Sequence, residues 1–139
     1  QGLCPRTRGN AWACQDLGLE EEMSVINAAK ILSAATATGT GGIHSAWTHR
    51  LTYSATGFTT AGAGAVAVQI WVSNVDAPST ANDTDWGLLG SIALVLSTTT
   101  TSDGFATEAA WKWRRAKVTA ISGTGASVDV YMGGALIQY

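Results

Sequence analysis

Asp76, Asn82, Asp83 and Asp85 fall within one ten-residue stretch and offer side-chain oxygens close together. Such a group could hold Ca²⁺, which takes about six to eight oxygen ligands. The spacing, however, matches no standard calcium loop and lacks the ordered glycine and distal glutamate of an EF-hand. Asp and Asn are also enriched in turns because their side chains bond the local backbone. The segment therefore reads as a solvated turn, with no metal or cofactor expected.

Nucleophilic or zinc chemistry has few residues to draw on. His44 and His49 are the two histidines, and Cys4 and Cys14, the two cysteines, lie far from them near the start of the chain. A zinc site needs more His or Cys ligands than that. His49 falls on the apolar side of an alternating stretch, where a core role is expected. His44 has nearby serines but no nucleophile-elbow sequence around it. Paired-carboxylate hydrolysis requires two opposed acids, and Asp83 and Asp85 are too close in one loop. Gly62, Gly64, Gly123 and Gly125 lack the lysine and helix of a phosphate-binding loop. No enzyme is expected.

Binding has more material. Lys112, Arg114, Arg115 and Lys117 interleave with Trp111 and Trp113, as on a strand that stacks nucleic-acid bases. Strand alternation places Lys112 and Arg114 on one face and Arg115 and Lys117 on the other, which splits such a platform. The plainer reading is that these cations snorkel beside an aromatic core or meet acids of a neighbour. Nucleic acid is not expected as a partner. The six tryptophans suggest a second option: Trp71, Trp86, Trp111 and Trp113 could present flat faces to sugar rings, with Asp83 and Asp85 accepting hydroxyl hydrogen bonds and Trp86 the preferred candidate. Strand tryptophans are more commonly core or contact residues, each burying about 150 to 250 Å².

The elements that would position these residues are β-strands. With 139 residues, 46% apolar and 13% charged, the chain suits one domain with one core and suits neither disorder nor a solvated helical bundle. A formal charge of -2 gives no long-range field to recruit nucleic acid. No apolar run approaches the roughly 20 residues of a membrane helix, so a soluble chain with no membrane partner is expected. Val25–Leu32 suits a strand or the end of a helix. Residues 34–42 are a small-residue loop, a natural crossing between sheets. Trp47, His49, Leu51 and Tyr53 alternate with Thr48, Arg50, Thr52 and Ser54. After an interruption at residues 57–64, Val66, Val68, Ile70 and Val72 line one face of a central strand. A loop over residues 74–85 leads to a strand at residues 86–97, and a turn covers residues 98–104. Trp111–Ile121 and Ser127–Met132 read as a hairpin closed by a glycine-containing loop. Together these predict an all-β chain, an antiparallel β-sandwich or jelly roll.

Residues 1–22 differ in character and are expected to be an N-terminal arm, helical from about Ala11 to Leu32, or a mis-assigned start. Glu20, Glu21 and Glu22 have purine-rich codons resembling a ribosome-binding site before Met23. Residues 23–139 are then the β-sandwich domain. Without residues 1–22 the chain loses two basic and four acidic groups and becomes formally neutral.

Tyr53–Ala67 (YSATGFTTAGAGAVA), Val72–Asn74 (VSN) with Trp86–Ile92 (WGLLGSI), Ser102–Phe105 (SDGF) and Trp111–Gly133 (WKWRRAKVTAISGTGASVDVYMG) together resemble a group of small tailed-bacteriophage virion proteins. The resemblance spans roughly Leu32 to Gly133. It implies a β-sandwich virion component that decorates a capsid or attaches to a tail, self-associates and contacts capsid or tail proteins. Trp111, Trp113 and Arg114 are then candidate subunit contacts. The alternative is a tail-associated carbohydrate-binding module that recognises a host glycan through Trp86, Asp83, Asp85 and Trp71. The chain departs from the group at Arg114, where an aliphatic residue is expected, and in its longer loop over residues 75–85.

Overall fold

The computed structural model describes residues 24–48, 50–108 and 110–137. By its contacts the chain divides into two compact units. One is Ala28–Gly134; the other is Gln1–Asn27 with Ala135–Tyr139, of which the described part is the outer ends of two strands. The expected arm over residues 1–22, Cys4, Cys14 and His49 lie outside the described residues.

Nine strands form among the described residues: β1 (Ser24–Ala35), β2 (Gly39–Thr40), β3 (His44–Ser45), β4 (Leu51–Phe58), β5 (Ala61–Ser73), β6 (Gly87–Leu96), β7 (Thr101–Thr107), β8 (Trp113–Thr124) and β9 (Ser127–Ile137). One sheet has the order β1-β9-β4-β7. The other has the order β2-β8-β5-β6, with β3 also on β8. If β2 and β3 are counted as two pieces of one strand, the pairs β1 with β9, β2/β3 with β8, β4 with β7 and β5 with β6 are nested inside one another. This is one long hairpin folded over into two sheets, the eight-stranded jelly-roll order. The all-β expectation holds.

Period-two alternation explains the layers. Leu51, Tyr53 and Ala55 of β4, and Val128, Val130 and Met132 of β9, point inward from the first sheet. Val66, Val68 and Ile70 of β5, Ile92, Leu94 and Leu96 of β6, and Ala116 and Val118 of β8 meet them from the second. Tyr53 and Phe105 pack with ring centroids 5.4 Å apart. β5 lies between β8 and β6, central as its aliphatic face suggested.

Several boundaries differ from the sequence reading. β8 and β9 are strands but not a hairpin, because each belongs to a different sheet. β8 already has β5 on one edge and β2 and β3 on the other. At the end of β8, Gly123 has φ +115°, where a Cβ would lie 2.8 Å from Thr59 Cγ2 and 2.9 Å from Gly64 Cα. The turn it permits carries the chain across the sandwich instead of back along the same sheet. The interruption expected at residues 57–64 shrinks to Thr59 and Thr60. The turn expected at residues 98–104 ends at Thr100, and Ser102–Phe105 instead pair with β4. Gly104 is required there by proximity, since a Cβ would sit 2.3 Å from the Tyr53 carbonyl oxygen. β4 starts at Leu51, so Trp47 precedes it. Residues 24–32 belong to a strand, not the end of a helix. The small-residue segment at 34–42 does cross between sheets, from β1 to β2.

Candidate functional site

The 74–86 segment is the tip of the nested hairpin, joining β5 to β6. It lies against the outer face of β8, held there by the cations the sequence had placed on that strand. Alternation puts Arg115 and Lys117 outward. The Arg115 side chain is only 2% exposed. Its guanidinium lies 4.3 Å from the centre of the Trp86 ring. It donates to the carbonyls of Ser79 (3.3 Å) and Asn82 (2.9 Å) and to Asp83 Oδ1 (2.6 Å). Lys117 Nζ donates to the second oxygen of Asp83 at 2.6 Å and lies 5.6 Å from the Trp71 ring centre. The hydrogen bond from Lys117, more than that from Arg115, holds the Asp83 carboxyl below its usual range, although burial opposes this.

The loop closes on itself as well. Trp86 Nε1 donates to Ser79 O at 2.8 Å, the Ser79 N–H donates to Asp85 Oδ2 at 2.9 Å, and the Thr84 N–H donates to Asn82 Oδ1 at 2.9 Å. Asp76 pairs with Lys112 at 3.0 Å. All four oxygen-bearing side chains considered for calcium thus have partners within the chain, and no group of three His, Cys, Asp or Glu forms among the described residues.

The proposed glycan platform is therefore spent on the fold. Trp86 is 7% exposed under its own loop, Asp83 is bound by two cations, Asp85 caps Ser79, and the Trp71 indole N–H donates to Gln69 Oε1 at 3.0 Å. The basic strand is likewise dispersed, with Arg115 and Lys117 on Asp83, Lys112 on Asp76, and Arg114 inside the sandwich.

Arg114 is 1% exposed, so it offers nothing to a neighbouring subunit. It donates to Tyr53 Oη at 2.6 Å and to the Trp111 carbonyl. Among the described residues no carboxylate pairs with it, and its Nε has no acceptor. Burial raises the Tyr53 pKa, while the Arg114 charge and hydrogen bond pull it the other way. The other two subunit-contact candidates remain accessible in part. Trp111 is 37% exposed, and Trp113 is half-buried with Lys112 Nζ 5.5 Å from its ring centre.

Two features escaped the sequence reading. One is a shallow, open cleft of about 440 Å³ where Trp47, Thr48, Asn74, Ala110, Trp111 and Lys112 meet. Its contributors lie in three separate segments, which no local pattern could link. The other is a bare patch on the outer face of the second sheet, beyond the reach of the loop. Register places Ser122, Ala65 and Val95 in one row across β8, β5 and β6, and Ala120, Ala67 and Ala93 in the next. Val95 is 81% exposed.

No protein-family model matches the chain, and comparison with curated proteins and with solved structures returned no match.

Proposed function

We propose that this chain is a structural subunit of a bacteriophage particle that acts by assembly, decorating or stabilising a capsid through contacts with its own copies and with capsid proteins. The observation that carries this reading is the uncharged two-row patch of Ala65, Ala67, Ala93, Val95, Ala120 and Ser122 on the second sheet. A flat face of small residues lets another backbone approach closely, and exposed apolar surface of this kind marks contact sites. The other half of the same face is covered by the chain's own loop. The resemblance of residues 32–133 to tailed-phage virion proteins supplies the setting. By analogy alone, jelly rolls also serve in both capsids and lectins.

The test is light scattering of the full chain and its co-sedimentation with empty phage capsids, repeated on Val95→Glu and Ala93→Glu. An oligomer or capsid-bound species that both variants abolish without lowering thermal stability supports assembly through this face. A wild-type monomer that ignores capsids refutes it.

A further inference from the structure

We propose that the cleft between Trp47 and Trp111 is a binding site for a neutral pyranose, distinct both from the bare sheet face and from the Trp86 loop. A buried guanidinium without a counter-ion is unfavourable, yet Arg114 is 1% exposed and, among the described residues, its charge meets only a phenol and a carbonyl. That carbonyl belongs to Trp111. The buried cation thus anchors the backbone of a tryptophan that is 37% exposed and lines the cleft. Local choices that weaken a fold are expected where function needs a group held in place.

The remaining lining suits a sugar. Trp47 supplies a second indole, its N–H committed to Gly134 O at 3.3 Å. Asn74 Oδ1 accepts the Lys112 N–H at 2.8 Å, which leaves the Asn74 amide nitrogen as a free donor among the described residues. Thr48 adds a hydroxyl, and Ala110 leaves room for a ring. Pyranoses present apolar C–H faces to indoles and hydroxyls at the rim to amides and hydroxyls, so both halves of such a ligand find partners here. The Lys112 charge is paired with Asp76 at 3.0 Å, which favours an uncharged sugar over an acidic one.

The experiment screens the full chain on an array of neutral and acidic hexose oligomers. The best-bound oligomer is then titrated by tryptophan fluorescence against wild type, Trp111→Ala, Trp111→Phe and Ala110→Leu. The expected result is binding to neutral members, weakened about tenfold or more in Trp111→Ala, partly kept in Trp111→Phe, and blocked in Ala110→Leu, which fills the cleft. If Trp111→Ala unfolds, Ala110→Leu carries the test. No binding to any array member, preference for acidic members, or affinity unchanged in the folded variants would overturn the proposal. Because Val95 and Ala93 pair near the start of β5 whereas the cleft's Asn74 follows its end, Val95→Glu and Ala93→Glu should leave sugar binding intact, so failure here is separable from failure of assembly.

Discussion

Replacing Asp83 with alanine should release the 74–86 loop from β8, and the structure gives the size of the effect. Arg115 keeps the carbonyls of Ser79 and Asn82 and its stack on Trp86, but loses its one carboxylate among the described residues while 2% exposed. One-sided removal of a buried pair costs about 3 to 5 kcal/mol when both partners are fully buried. Asp83 is 32% exposed, so about 2 kcal/mol is the appropriate share. The Lys117 pair, with both side chains about a third exposed, adds at most about 1 kcal/mol. The total of about 3 kcal/mol corresponds to a Tm lower by about 10 °C for a unit of this size. The pH dependence has a definite sign. Because the folded state lowers the Asp83 pKa, the stabilisation is fully present above the unfolded carboxylate value of about 4 and is lost as pH falls through the folded pKa. Calorimetry of wild type and Asp83→Ala between pH 7 and pH 2.5 should show two curves that converge in acid. A Tm change under 2 °C at pH 7, or a gap that persists undiminished at low pH, would refute the loop-lock reasoning. Adding Arg115→Met should recover part of the loss, since an apolar chain against Trp86 replaces an unpaired charge.

Other predictions concern the core and the turns. Tyr53→Phe should cost about 1 to 2 kcal/mol by leaving the buried guanidinium one acceptor short; adding Arg114→Met should cost less than the sum of the two single changes, measured by urea unfolding in a double-mutant cycle. In alkaline absorbance titration one of the three tyrosines should ionise above the ordinary value of about 10, and Tyr53→Phe should remove that step. Its raised pKa contributes stability that is present below the unfolded value and lost as pH climbs through the folded one. Gly123→Ala should cost about 2 kcal/mol or more, from a φ of +115° and the crowding of Thr59, and should lower the urea midpoint.

Much of the architecture was readable because period-two patterning needs only neighbouring residues. Val66 to Val72 and Leu51 to Tyr53 declare their buried faces locally, and the small-residue stretch before Gly42 marks a crossing between sheets. Pairing was not readable in the same way. Trp111–Ile121 and Ser127–Met132 look like a hairpin by proximity, but which edge of β8 is free depends on partners 40 to 79 residues away. Ser102–Phe105 carries the composition of a turn, yet pairing with β4 overrides it. The candidate site shows the same divide. Alternation correctly separated Arg114 from Arg115, but could not show that each would be buried, one by the opposite sheet and one by a loop 30 residues upstream. Trp86 beside an acidic loop suggested a ligand platform, and the loop's own cations took that place.

Nested pairing also orders events during synthesis. β5 and β6 can join as soon as both leave the ribosome, whereas β1 waits for β9: the Ala34 N–H that Asp129 accepts spans 95 residues of chain. At about 5 to 20 residues per second, β1 stays without its neighbour for roughly 5 to 20 s. Contacts so distant in sequence also close slowly. The nascent chain thus carries an open strand edge until β9 emerges, and the joining of β1 to β9 completes that sheet.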